Sequence, residues 1–178
     1  MGRMTDLVTP KMNSSQPLVS IILLNWHGWR DTIACLDSLV SQDYNDYRVL
    51  VVDNGSTDDS VARIRAAHPE IPIMETGRNL GFSGGCNVGV RRALEDGADY
   101  VWLLNNDTTV DPQALSAMVA VAEADPRVGA VGSVLYGYGR QNRTVSNTLP
   151  DSQNNQGYKK PCNRSGNLPF LQHILESI

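Results

Sequence analysis

The sequence predicts one α/β domain built on a mostly parallel sheet with helices on both faces. Five short segments rich in β-branched residues alternate with segments of helical period, and the middle segments are almost wholly apolar, as strands covered on both faces are. At 178 residues, the chain has room for one domain with a substantial core. Strand and helix in alternation imply crossover connections, and hence parallel pairing.

Each predicted strand is a short apolar run that ends at polar or glycine-containing sequence. The predicted strands are 18–25, 47–54, 71–76, 100–106 and 128–136. The first helix should bury one face formed by Ile33, Leu36, Leu39 and Val40, and the last should bury Leu115, Met118, Val119 and Ala122. Local chemistry supports the helix starts: Ser56 to Asp59 open the second helix, and Asp111 with Pro112 opens the last.

Composition divides the chain into three parts. Residues 1–16 are predicted to be a flexible segment, and 17–140 form the folded domain. Residues 141–178 hold ten Asn and Gln in 38 positions and few apolar side chains, which indicates loop or disorder. Within that tail, 168–178 could form a short terminal helix.

Charge and cysteine content limit the class of protein. A net charge of −4 gives no basic field for nucleic acid. The three cysteines, Cys35, Cys86 and Cys162, have no C-x-x-C spacing and fit a reducing compartment. We expect a cytoplasmic protein because neither a secretory signal nor a run of about 20 apolar residues occurs. Peripheral attachment to the inner face of a membrane stays open.

Polar clusters follow several of the predicted strands. Asp53-Asn54-Gly55 follows the second strand, and Asn105-Asn106-Asp107 ends the fourth. Parallel strands place their carboxyl ends on one rim, where ligands of open α/β sheets bind. Asp53 could accept a hydrogen bond from a nucleobase imide, although a plain turn into a capped helix explains the same residues.

The stretch 77–89 carries five glycines and is predicted to be a loop ahead of the third helix. Such a loop brings backbone close to a ligand, and the following helix start would bind an anion such as a diphosphate. Its spacing is neither that of a dinucleotide fingerprint nor that of a P-loop. The alternative is a glycine-rich crossover without a ligand.

Asp107 is the candidate metal ligand. Mg²⁺ and Mn²⁺ take oxygen ligands, and Mg²⁺ is often held by one or two carboxylates together with substrate phosphates. An Asn-rich turn in which Asp107 bonds to backbone is the plainer explanation of this triplet alone.

Three ordered segments, residues 17–61, 78–93 and 98–115, resemble the nucleotide-binding half of inverting family-two glycosyltransferases with the Rossmann-like GT-A fold, and rhamnosyltransferase-like members most of all. The resemblance implies a donor that is a dTDP-, UDP- or GDP-sugar, a glycan or lipid-linked acceptor, and a divalent metal. Asn105-Asn106-Asp107 stands in the place of the family's D-x-D motif, so Asp107 would bind the metal. The implied donor-binding residues are Asn25, Trp26, Asp53, Asn54, Gly55, Arg78, Asn79, Gly81, Asn87, Asn105 and Asn106.

The resemblance ends near residue 136. In the family the catalytic base comes from the half that follows, and that acceptor half is expected to be missing here, so no catalytic residue is predicted. The chain would then be a truncated form whose turnover alone is doubtful. There are two alternatives. One is an inactive nucleotide-binding or partner-binding fragment, and the other is a nucleotidyltransferase. Apolar surface left exposed by the missing half would favour a homo-oligomer.

Overall fold

A computed structural model describes residues 16–136 together with 144 and 145. The strands are β1 Val19–Asn25, β2 Tyr47–Asp53, β3 Ile73–Glu75, β4 Tyr100–Asn105, β5 Leu135–Tyr136 and β6 Thr144–Val145. The helices are α1 Trp29–Leu39, α2 Ser60–Ala67, α3 Gly81–Glu95 and α4 Ala114–Ala124. The predicted segments 1–16 and 141–178, with the terminal helix at 168–178, lie outside the described residues, apart from Gln16 and the short β6.

The main sheet has the strand order β3-β2-β1-β4, and all its pairs are parallel. Helices cover both faces, as predicted. Side chains of α1, α2 and α4 pack with Ile21, Leu23 and Val51 on one face. On the other face, α3 packs against Ile22 and Val52. Alternate residues of β1 thus serve two cores, which is why that strand is apolar throughout.

The predicted glycine loop over 77–89 is wrong in extent, because α3 already begins at Gly81. Within the helix, Gly85 and Gly89 face the sheet. A Cβ on Gly89 would lie 2.5 Å from Ile22 Cγ2 and 3.0 Å from Val52 Cγ2, and a Cβ on Gly85 would overlap Leu24. These two glycines therefore let α3 lie close to β1 and β2, and their role is packing.

Two further predictions need correction. Residues 128–134 form no strand, and only Leu135–Tyr136 pair, antiparallel to β6 in a separate small sheet. Val40 is 76% exposed because α1 ends at Leu39, and the face of α1 is completed by the fully buried Thr32. The helix starts shift slightly: α4 begins at Ala114, and Asp111 accepts a bond from the backbone N–H of Gln113.

Across the described part of the chain, no helix combines the length and apolar character that a membrane span requires.

We expect Gly89→Ala to lower the free energy of unfolding by about 1 kcal/mol. The added methyl must displace buried, β-branched neighbours, which costs about 1–3 kcal/mol, while the better helix propensity of alanine returns at most about 1 kcal/mol. Urea denaturation measures the change. Ser83→Ala, on an exposed position of α3, is the control and should stay within about 0.5 kcal/mol of the parent. Equal stability of Gly89→Ala and the parent would contradict the packing role.

Candidate functional site

The carboxyl ends of three strands meet on one rim of the sheet. Asn25, the last residue of β1, lies in register with Asp53 of β2, and Leu24 lies in register with Asn105 of β4. The polar clusters that the sequence places after these strands are therefore neighbours. The loop that joins β3 to α3 reaches the same rim through the backbone bond from Thr76 to Asp53.

Asp53 is a buried carboxylate held by three donors. It is 2% exposed. Its Oδ1 accepts from Asn25 Nδ2 at 2.7 Å and from Ser56 Oγ at 2.6 Å, and its Oδ2 accepts from the Ser56 backbone N–H at 2.9 Å. A buried charge requires such partners. Each carboxylate oxygen can accept two bonds, so Oδ2 keeps capacity for one more donor.

The network continues from Asp53 across the rim to the end of β4. Asn25 is fully buried, and its Oδ1 accepts from Thr32 Oγ1 at 2.9 Å. The same hydroxyl accepts from Asn106 Nδ2 at 2.9 Å. Asn25, Asp53 and Asn106, all predicted as site residues, are thus joined by direct side-chain bonds through Thr32.

Sequence reasoning missed Thr32, although a signal for it exists. The buried residues of α1 are Thr32, Cys35, Leu36 and Leu39, which have the spacing i, i+3, i+4, i+7 of a buried helix face. A buried hydroxyl at the first position of that face indicates hydrogen-bond partners, because a buried polar group without a hydrogen bond destabilises the fold.

A second group of bonds joins the loop after β2 to the start of α3. Asn54 is 2% exposed, and its side chain donates to Asn79 Oδ1 and the Gly81 carbonyl and accepts from the Leu80 N–H. Gly55 has φ 78°, and a Cβ there would overlap the backbone of Arg78. Asn54, Gly55, Asn79 and Gly81 therefore hold two loops together.

Several predicted residues remain open to solvent on this rim. Arg78, Asn79, Asn105 and Asp107 are exposed, and Trp26 is 56% exposed, edge-on to the ring of His27. Asn105, Asn106 and Asp107 line a cavity of about 350 Å³ whose other walls include Leu24, Phe82 and Cys86. That volume lies at the lower end of the range for small-molecule sites.

Asn87 is buried in α3, one residue after Cys86 of the cavity wall. It is 2% exposed, and its Nδ2 has no hydrogen-bond partner among the described residues. An unpaired buried donor costs about 1–3 kcal/mol. A ligand acceptor could satisfy it.

The described residues contain no group of three or more His, Cys, Asp or Glu side chains arranged to hold a metal ion. Asp107 is one exposed carboxylate, with the amide of Asn105 two residues before it. This donor set fits a hard cation that takes most of its ligands from phosphate oxygens.

The two described cysteines are buried. Burial raises the pKa of the Cys86 thiol, and burial likewise raises the pKa of the Cys35 thiol, although bonds with Thr108 partly offset it. Both thiols are therefore poor nucleophiles at neutral pH.

The profile of the family described as "Glycosyl transferase family 2" matches residues 20–175. A galactofuranosyltransferase, GlfT1 of Mycolicibacterium smegmatis, is 37% identical over 100 residues, which are 54% of this chain and 32% of that protein. An N-acetylglucosaminyl-diphospho-decaprenol L-rhamnosyltransferase of Mycobacterium tuberculosis is 30% identical over 95 residues, 49% of this chain and 31% of the relative. The chain thus spans about a third of the length of these relatives.

Solved structures with the same fold include a mannosyltransferase, PcManGT from Pyrobaculum calidifontis, in complex with GDP-Man and Mn²⁺. Its TM-score is 0.58 at 26% identity, over 64% of this chain and 34% of that one. TarS 1-349 of S. aureus in complex with UDP has a TM-score of 0.53 at 21% identity, over 60% of this chain and 32% of that one, a likeness of fold alone. The predicted Rossmann-like, mostly parallel fold is confirmed.

Asp53→Asn should lower the free energy of unfolding by about 1–3 kcal/mol. An asparagine has only one oxygen that accepts, so its NH₂ group must face a donor of Asn25 or Ser56, and at least one buried hydrogen bond is lost. Urea denaturation measures this. Asp59→Asn, which removes the same charge from a half-exposed side chain, should change stability by less than about 0.5 kcal/mol. Similar losses in both variants would show that the bonds of Asp53 are not what stabilises the rim.

In a Cys162→Ser variant, we expect the two remaining thiols to react slowly with a disulfide reagent at pH 7.5. A raised pKa leaves less thiolate at a given pH, and burial blocks access. The labelling rate should rise as the pH increases toward 9, and unfolding in urea should make both thiols reactive at once. Fast labelling of either thiol in the folded protein at pH 7.5 would contradict their burial.

Proposed function

The chain belongs to glycosyl transferase family 2, and we propose that it binds a nucleotide-diphosphate sugar with a divalent cation, for transfer of the sugar to an acceptor hydroxyl. The supporting observation is the convergence on one rim of a buried, hydrogen-bonded acid, Asp53, and an exposed acid, Asp107. Asn25, Thr32 and Asn106 join the two regions.

The nucleoside would bind at the ends of β1 and β2. Asp53 Oδ2 has capacity for one further donor, which a nucleobase imide N–H would supply. Trp26, the residue after β1, offers an exposed indole, and Asn25 fixes the orientation of the carboxylate. dTDP- and UDP-sugars carry such an imide directly, and a GDP-sugar carries the related guanine N–H.

The diphosphate would lie between the start of α3 and the end of β4. Asp107 would hold the cation, with Asn105 as a neutral neighbour in the same cavity wall. The unpaired Nδ2 of Asn87, which is buried next to the cavity residue Cys86, would donate to an oxygen of the donor. Arg78 and Asn79 are exposed at the same rim. When bound, Mg²⁺ or Mn²⁺ supplies Lewis-acid stabilisation of the nucleoside diphosphate as it leaves. The Mn²⁺ in the mannosyltransferase structure supports this choice of ion class.

In the proposed reaction, the acceptor oxygen forms a bond to the anomeric carbon as the bond to the nucleoside diphosphate breaks, with inversion. A general base takes the proton of the acceptor hydroxyl. We assign that role to none of the described residues. The galactofuranosyl- and rhamnosyltransferase relatives support a hexosyl donor and an acceptor that is a glycan or lipid-linked glycan, in polysaccharide biosynthesis.

Calorimetric titration with dTDP, UDP and GDP, each with and without Mn²⁺, tests the proposal. We expect one nucleotide to bind more tightly with Mn²⁺, and Asp107→Ala to weaken that binding by about tenfold or more, which is about 1.4 kcal/mol. Asp96→Ala removes an equal charge from the carboxyl end of α3, four residues before β4 begins and away from the rim, and should leave the affinity unchanged.

If no nucleotide binds, or if Asp107→Ala binds with parental affinity in the presence of Mn²⁺, the proposal fails. Where a nucleotide does bind, two separate incubations distinguish the alternatives, one with the matching nucleotide-sugar and one with the matching nucleoside triphosphate and a sugar 1-phosphate. Release of nucleoside diphosphate indicates glycosyl transfer or donor hydrolysis, release of pyrophosphate from a nucleoside triphosphate indicates a nucleotidyltransferase, and binding without turnover indicates an inactive nucleotide-binding fragment.

A further inference from the structure

Thr32 occupies a central place in the rim network although it lies on neither a strand end nor a loop. It is in the first turns of α1 and fully buried. Its hydroxyl lies 2.9 Å from Asn25 Oδ1 and 2.9 Å from Asn106 Nδ2. One hydroxyl therefore joins the side chain that orients Asp53 to the side chain that precedes Asp107.

The Thr32 hydroxyl can donate one hydrogen bond and accept another at the same time. A threonine has one O–H donor and two acceptor sites. Its single proton goes either to Asn25 Oδ1 or to the Gly28 carbonyl, 3.1 Å away, whereas its lone pair accepts from Asn106. Among side chains of similar shape, serine can make the same bonds and valine cannot.

Gly28 makes room for the contact. A Cβ at this position would lie 2.9 Å from Asn106 Nδ2, closer than carbon and nitrogen pack without a shift. The backbone of Gly28, with φ −120° and ψ 34°, requires no positive φ. Glycine is therefore needed here for the close approach of the Asn106 amide.

The end of β4 is also held to α1 by a second side chain. Cys35 Sγ lies 3.7 Å from the Asn105 carbonyl, and Thr108 Oγ1 donates to the same carbonyl at 2.7 Å. Asp107 thus lies in a turn whose two sides, Asn106 and Thr108, are both tied down. An exposed carboxylate on a fixed turn loses less freedom when it binds a ligand.

We propose that Thr32 is a positioning residue that fixes Asn106, and through it the turn that carries Asp107, relative to Asp53. The inference rests on the proposed function, because Thr32 would set the distance between the bound nucleoside and the bound cation. Loss of a partner that orients a metal ligand typically costs about 10–100-fold in metal affinity or activity.

The binding test compares Thr32→Val with Thr32→Ser. Thr32→Val keeps the shape but removes the hydroxyl, so it should weaken nucleotide binding in the presence of Mn²⁺ by about tenfold. Loss of the bond to Asn25 should also weaken binding without Mn²⁺, but by less. Thr32→Ser keeps the hydroxyl and should stay within about twofold of the parent. An equal loss with and without Mn²⁺, or no rescue by serine, would overturn the proposal.

Gly28→Ala tests the same contact without deleting a buried bond. The methyl group should displace the Asn106 amide and reproduce the Mn²⁺-dependent loss. In the double variant with Thr32→Val, the losses should be less than additive because both act on one contact. This variant also keeps the proposal testable if Thr32→Val fails to fold. Additive losses would overturn it.

A measurement that needs no nucleotide separates this inference from the proposed function. The side-chain NH₂ signals of Asn106 in a ¹⁵N–¹H spectrum, identified by their loss in Asn106→Asp, should exchange slowly in the parent and faster in Thr32→Val. Unchanged exchange overturns the proposed contact whether or not nucleotide binds. Faster exchange supports the contact, and if the parent then binds no nucleotide, it is the proposed function that fails.

Discussion

The burial of the Asp53 carboxylate is the constraint on which the rim depends. A charge that is 2% exposed must be met by donors, and these come from the end of β1 and from the turn after β2. Asn25 can meet Asp53 only while β1 and β2 stay parallel and in register. The carboxylate therefore ties the alignment of the central strands to the geometry of the candidate site.

The glycines of α3 fit this scheme in a way that differs from their expected role. The sequence suggested a glycine loop that cradles a phosphate, but Gly85 and Gly89 lie in the helix and allow it to approach the sheet. Close approach of α3 brings Cys86 to the cavity at the carboxyl end of β4. The glycines that pack against the sheet and the cavity residue Cys86 thus lie within the same turns of α3.

The sequence predicted correctly those features that follow from hydrophobic period and from the residues at strand ends. Apolar runs located β1, β2 and β4 closely, and parallel pairing then placed Asn25, Asp53 and Asn106 on one rim. The sequence-based prediction was wrong where an element depends on a partner strand or on where a helix begins. Residues 128–134 have strand composition but no partner strand among the described residues, and glycine content hid the first turns of α3.

Thr32 illustrates a different limit of sequence reasoning. Its position on the buried face of α1 follows from helical period, but the identity of its partners does not, because Asn25 and Asn106 lie 7 and 74 residues away. Bonds between such distant positions depend on how α1 lies across the strand ends. Only the three-dimensional arrangement shows that a single hydroxyl spans the two acidic regions.

The contact at Gly55 joins two segments of main chain with no side chain between them. Because the loop after β2 rests directly on the backbone of Arg78, and Asn54 bonds to Asn79 and Gly81, neither segment can shift alone. A ligand that stiffens the turn beside Asp53 would therefore stiffen the entry to α3 as well. Binding at one side of such a pocket would therefore also restrict motion of the backbone at the other side.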